Sequence, residues 1–154
     1  MSLVKFEEKL PGFSFVGEVN LEEGPSTGGF DGDLTVQNIV QSDQEIRFRF
    51  HWHDSGPLKS VLAAANCQYI CNVYLERYGG GESTLPPAIS PQNTTVQAVS
   101  QHYDQLITIP PNTLAPGIIK VICAMTMRFP GPPAVVPLPL AAYVEMGVLE
   151  IYRA

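Results

Sequence analysis

EIRFRFHWH, residues 45–53, decides the fold class of this chain, because apolar and polar side chains alternate along it without interruption. The apolar members are Ile46, Phe48, Phe50 and Trp52, and the polar members are Arg47, Arg49, His51 and His53. A period of two places successive side chains on opposite faces of an extended chain. The stretch therefore predicts a β-strand with one face in the core and the other in solvent.

Residues 66–78 and 117–129 repeat this alternation, with apolar residues at every second position. We expect the inward positions of the three strands to share one core, formed by Ile46, Phe48, Phe50, Trp52, Tyr69, Val73, Leu75, Val121 and Met125. The outward positions of 117–129 also keep the apolar residues Ile118, Ile122 and Ala124. This departure from a polar outer face indicates that the face is partly covered.

Several shorter apolar segments, the 14 prolines and the 13 glycines favour an all-β domain with many turns. Near the C-terminus the alternation changes phase at Gly147, which predicts a β-bulge there. Seven or eight short strands separated by turn signals are typical of a sandwich or a barrel. We divide the chain into an N-terminal arm, residues 1–12, and a single domain, residues 13–154.

ITIPPNTLAPGIIKV, residues 107–121, selects between these architectures. It resembles the crossing between the fifth and sixth strands of immunoglobulin-like and fibronectin-like sandwiches, where a leucine lies under a Pro-Gly turn. Here the leucine is Leu114 and the turn is Pro116-Gly117, while Ile119 stands where the family usually has an aromatic residue. The resemblance implies an immunoglobulin-like antiparallel β-sandwich, and it implies no particular function.

Charge and composition exclude several classes of function. The net charge of −6 argues against nucleic acid as a partner, because nucleic-acid binding requires a basic face. No segment is apolar over the ~20 residues that a membrane span needs, and no secretory signal is evident. The odd count of three cysteines predicts reduced, buried thiols and favours a cytoplasmic location.

Motifs for catalysis or for a cofactor are absent from the sequence, so we expect neither an enzyme nor a bound cofactor. The candidates nearest to a metal site are His51, His53 and His102, but the neighbouring Arg47 and Arg49 should repel a cation. We therefore predict no metal site. A hydrolase that uses carboxylates such as Asp31, Asp33 and Glu76, or a histidine, is the third functional alternative.

Two apolar segments stand out as an interaction surface. Residues 129–142 contain no charge and residues 57–65 contain only Lys59, whereas surface loops are usually more polar. We predict a non-catalytic protein-binding or assembly module that contacts a protein partner or a second copy of itself. The interface residues would be Val61, Leu62, Phe129, Val135, Val136, Leu138 and Leu140. Two alternatives are a cap over the core built by these loops and a domain that binds a small ligand.

Overall fold

A computed structural model of the chain describes residues 2–24, 39–99 and 102–153. In chain order, its elements are β1 (Ser2–Leu3), β2 (Lys5–Glu8), β3 (Ser14–Gly24), β4 (Ile39–Gln41), β5 (Glu45–Ser55), α1 (Lys59–Ala64), β6 (Gln68–Arg77), β7 (Gly81–Ser83), β8 (Gln92–Thr95), β9 (His102–Ile109), β10 (Gly117–Phe129) and β11 (Val136–Tyr152). Asp31 and Asp33 lie outside the described residues.

Two sheets pack face to face as a β-sandwich, which confirms the predicted fold class. The first sheet has the order β1-β3-β5-β9, and we call it the β5 sheet. The second has the order β2-β11-β10-β6-β7, with β4 paired to β11 and β8 paired to β6. We call this second sheet the β10 sheet. All its pairings are antiparallel except that of β4 with β11.

The core lies between the two sheets and contains every inward residue that the alternation predicts. None of the nine predicted core residues is more than 4% exposed. Leu114 is also buried, in the connection from β9 of one sheet to β10 of the other, as the resemblance implies. The β-bulge is confirmed as well, since the pairing of β10 with β11 shifts beside Gly147, which has a positive φ of 85°.

The structure differs from the sequence-based description in three segments. The expected N-terminal arm pairs with both sheets, β1 with β3 and β2 with β11. Residues 59–64 form a short helix, and β11 begins at Val136 within the expected loop 129–142. The strand count rises to eleven in the described residues, because several edge strands span only two to four residues. Among the described helices none is long and apolar enough to cross a membrane.

Candidate functional site

Exposed apolar side chains are concentrated on the outer face of the β10 sheet. The alternation that buries Ile119 and Ile151 turns their neighbours Ile118 and Tyr152 to the opposite side. Exposed fractions on this side are high for the five residues that we call the outer apolar face: Ile39 (51%), Tyr74 (56%), Ile118 (48%), Val148 (39%) and Tyr152 (41%). They come from four strands, β4, β6, β10 and β11.

Strand register makes this face continuous across the sheet. Ile122 is paired with Tyr74 on β6 and with Glu145 on β11. Lys120, two positions away, is paired with Glu76 and Val148 in the same way. Directly opposed residues on neighbouring strands have Cβ atoms about 5 Å apart, so these side chains are neighbours on one face of the sheet.

The next pair along the strands completes the face. Ile118 lies opposite Glu150 on β11, and Glu150 lies opposite Ile39 on β4. Half-buried Ala124 and Tyr143, which are also paired with each other, extend the apolar surface in the other direction. The outer apolar face is therefore one patch with carboxylates and a lysine interspersed.

A groove of about 570 Å³ borders this patch, between the outer surface of β6 and β10 and the segment 82–91. Its apolar lining comes from Tyr74, Leu85, Pro87, Pro91 and Ile122, and its charged lining from Glu76, Glu82 and Lys120. The wall of the groove is fixed by buried Ser90. Its Oγ accepts a hydrogen bond from the Val73 backbone N–H at 3.0 Å and donates one to Asn72 Oδ1 at 2.5 Å.

The predicted interface residues fall into three groups. Val61, Val135 and Val136 are exposed, at 60%, 59% and 45%. Phe129 and Leu138 are half-buried against the core. Leu62 and Leu140 are buried in the monomer, where they close the end of the core. We had predicted both as surface anchors, and their burial rules out that role in the monomer. The reason is that these residues lie in α1 and in the first half of β11, and both elements have a side that faces the core. The prediction had treated both segments as loops, which have no such side.

Register also places the two predicted segments at one end of the sandwich. Helix α1 leads into β6, whose first residue Gln68 is paired with Arg128 near the end of β10. The β10–β11 turn follows at once, with Phe129 paired to Val136. A smaller groove of about 320 Å³, lined by Ile70, Val135, Leu138 and Ala141 among others, connects this turn to the outer surface of the β10 sheet.

A buried polar cluster lies on the inner side of β5, where sequence reasoning found no site. Asp54 is fully buried, and its Oδ1 is 2.7 Å from Lys59 Nζ at the start of α1. The Tyr69 hydroxyl donates a hydrogen bond to Asp54 Oδ2 at 2.8 Å. The rings of Trp52 and Tyr103 stack beside it, 5.2 Å apart. The alternation of β5 could have predicted that Asp54 is buried, since Asp54 follows Trp52 by two residues and so lies on the same inward side.

The chemistry of this cluster is that of a structural ion pair. Burial raises the pKa of Tyr69 far above its usual range, and the hydrogen bond and charge of Asp54 raise it further. Burial also raises the pKa of Tyr103 to about 12. Both phenols therefore stay protonated at neutral pH, and Tyr69 acts as a donor to the carboxylate. A charged pair held by such contacts fixes α1 against the end of the core.

Comparison with known proteins shows a similarity of overall shape. No family model and no curated protein matches the chain. A crystal structure of the CARDB domain of the PF1109 protein from Pyrococcus furiosus, in complex with di-metal ions, is similar with a TM-score of 0.38 and 10% identity. The match covers 90% of this chain and 96% of that domain. At that TM-score the similarity has no bearing on function.

The three cysteines are free and buried, as predicted. Burial raises the pKa of Cys67, Cys71 and Cys123, so the thiols are protonated at neutral pH. Protonated, buried thiols are weak nucleophiles. Cys67, which follows α1 and lies nearest to a loop, is no exception, because its side chain is only 2% exposed.

The three histidines share the outer face of the β5 sheet, on the opposite side of the molecule from the outer apolar face. His53 is paired with His102 across β5 and β9, and His51 with Asp104. The described residues include no group of three or more His, Cys, Asp or Glu side chains placed to hold a metal ion. Glu76, a candidate carboxylate, lies on the β10 sheet opposite Lys120.

Proposed function

We propose that this chain is a non-catalytic assembly module that binds a second copy of itself through the outer apolar face. The observation that supports the proposal is the contiguity of exposed Ile39, Tyr74, Ile118, Val148 and Tyr152 across four strands. Contiguous exposed apolar patches with a polar rim mark protein-protein contact surfaces. Aromatic residues such as Tyr74 and Tyr152 are enriched among the side chains that dominate binding energy.

The charges on this face favour a second copy as the partner. Lys120 lies among the carboxylates Glu76, Glu145 and Glu150 on neighbouring strands. In a two-fold symmetric dimer the same patch meets itself, so a surface that carries both signs of charge can pair with its own copy. Lys120 of one copy would approach a carboxylate of the other, which sets the orientation of the two sheets.

Exposed Val135 in the β10–β11 turn extends this surface. Val135 lines the smaller groove beside Ile70, on the same outer side of the β10 sheet. Of the predicted interface residues, exposed Val135 contributes to the proposed contact, while buried Leu62 and Leu140 belong to the core.

Binding of a small ligand is a second candidate function, favoured by the groove of about 570 Å³ beside Tyr74. Its volume lies within the range of known ligand sites, about 300 to 1,000 Å³. Val148 is on the outer apolar face but does not line this groove. A change at Val148 therefore separates self-association from ligand binding.

We expect Val148→Glu to weaken self-association at least tenfold and Val16→Glu to leave it unchanged. Both valines are exposed on outer strand faces, but Val16 lies on the β5 sheet. In the monomer the carboxylate introduced by Val148→Glu would face Lys120, so folding is preserved. In the dimer it would be removed from water within an apolar contact, which is costly.

Light scattering at increasing protein concentration measures the effect. The wild-type mass should rise from the 16.8 kDa of one chain toward twice that value, with the rise displaced to higher concentration in Val148→Glu. A wild-type chain that stays monomeric throughout, or equal effects of the two substitutions, contradicts the proposal.

A further inference from the structure

We propose that His53 and His102 form a two-histidine binding site for a divalent late transition metal ion such as Zn²⁺ or Cu²⁺. The site lies on the outer face of the β5 sheet and is independent of the outer apolar face. His102 is exposed and His53 half-buried, so an ion can reach the pair from solvent.

The geometry of the two rings fits a shared ion. His53 and His102 are directly opposed on β5 and β9, with ring centroids 5.0 Å apart and ring planes inclined by 48°. With metal–nitrogen bonds of about 2 Å, two imidazoles bound to one ion have centroids roughly 4.5 to 5 Å apart for right-angle to tetrahedral coordination. The observed centroid separation of 5.0 Å lies at the upper end of this range.

The core beneath the pair fixes this spacing. Trp52 and Tyr103, the sequence neighbours of the two histidines, are themselves opposed across β5 and β9 on the inner side. Their rings are buried and stack in nearly parallel planes, at 6°. Because β5 is also paired along its length with β3, the register that opposes the histidines is held from both sides. A preformed pair avoids the entropy cost of bringing two ligands together.

The surrounding charges favour a cation, contrary to the expectation from Arg47 and Arg49. Arg49 Nη1 is 2.8 Å from Asp104 Oδ2, and Arg49 Nε is 3.2 Å from Glu22 Oε1. Arg47 Nε is 3.7 Å from the other oxygen of the same Glu22 carboxylate. The two arginines are thus compensated.

The charged side chains around the histidine pair have a negative net charge. Glu18 and Asp104 lie on either side of His51, and uncharged Val16 lies opposite His53. Glu18, Glu22 and Asp104 carry three negative charges against the two positive charges of the arginines. An approaching cation therefore meets a face with a net charge of the favourable sign.

The class of ion follows from the ligand atoms. Imidazole nitrogen suits Zn²⁺, Cu²⁺ and Ni²⁺, whereas Mg²⁺ and Ca²⁺ require oxygen ligands. Only two protein ligands are brought together within the described residues, so water completes the coordination. Copper should bind more tightly than zinc at such a site.

Titration calorimetry of the full chain with Zn²⁺ tests the site. We expect one ion per chain, at least tenfold weaker binding in His53→Gln and in His102→Gln, and less than a threefold change in His51→Gln, the matched control on the same face. The His53→Gln/His102→Gln double variant should bind at least as weakly as either single variant, since neither imidazole of the pair remains. Absence of zinc binding to the wild type, or an equal loss in His51→Gln, overturns the proposal.

A second measurement uses the wild type alone and so does not depend on the folding of any variant. Electron paramagnetic resonance of one equivalent of Cu²⁺ reports the number of nitrogen ligands. Two imidazole nitrogens support the pair, and one or none contradicts it.

Discussion

Lys59→Met should lower the free energy of unfolding by about 3 to 5 kcal/mol, the cost of removing one partner from a buried ion pair. Lys59 Nζ lies 2.7 Å from Asp54 Oδ1, and the Asp54 side chain is 0% exposed. Without the ammonium group, the carboxylate stays buried with the Tyr69 hydroxyl as a neutral donor. Methionine fills the volume of the lysine stem, so the loss reports the charge and not a cavity. Urea denaturation measures the change.

The matched control is the double variant Asp54→Asn/Lys59→Met. Asparagine removes the charge but keeps a side-chain oxygen that can accept the Tyr69 hydrogen bond. Replacing both partners of a buried pair is far less costly than removing one, so the double variant should be more stable than Lys59→Met. If Lys59→Met unfolds at the same urea concentration as the wild type, the ion pair does not stabilise the folded protein, and this interpretation is wrong.

Phe50→Ala should destabilise the protein by a similar amount, about 3 to 5 kcal/mol, through the cavity that it leaves. Phe50 is 0% exposed at the centre of β5, flanked by Val19 on β3 and Gln105 on β9. Strands on both sides prevent the backbone from collapsing into the space. Chemical denaturation of both variants measures this loss against Phe50→Leu, which keeps most of the volume and should cost less than about 1.5 kcal/mol. A Phe50→Ala variant as stable as Phe50→Leu is incompatible with this packing.

Long strands could be predicted from the sequence because they contain enough residues to show a period of two. Strands β5, β6 and β10 alternate over ten or more positions, and their inward residues form the core as expected. The edge strands β1, β4 and β7 have two or three residues each, too few for any period. Their existence depends on the neighbouring strand that offers free hydrogen-bonding groups.

The prolines of residues 129–142 are the reason that the start of β11 was predicted as a loop. A proline cannot donate a backbone hydrogen bond, and five prolines in this segment favoured a loop. The period-two series Leu138, Leu140, Ala142 was present in the same segment. Its burial increases along the strand, from half-buried Leu138 to buried Ala142, and this inward series carries the chain into the sheet.

The candidate surface was only partly visible in the sequence. Ile118 and Ile122 interrupt the polar side of β10, and that interruption marked one strand of the face. Ile39 and Val148 join it through the pairing of β11 with β4 and with β10, which connects segments far apart in the chain. The contact of Asp54 with Lys59 likewise depends on where α1 is placed after β5. Register between distant segments is set by the whole sheet, so no local pattern encodes it.

Hydroxyl-radical footprinting of the wild-type chain, at a monomeric and at a high concentration, tests the assembly proposal most directly. It reports protection residue by residue, and so identifies the face that is covered. Modification of Tyr74, Ile118 and Val148 should fall as the mass rises, while Val16 and Val99, exposed elsewhere at 69% and 92%, should keep their rates. Protection of Val16 with the outer apolar face unchanged, or unchanged modification of all five residues at high concentration, would contradict self-association through the β10 sheet.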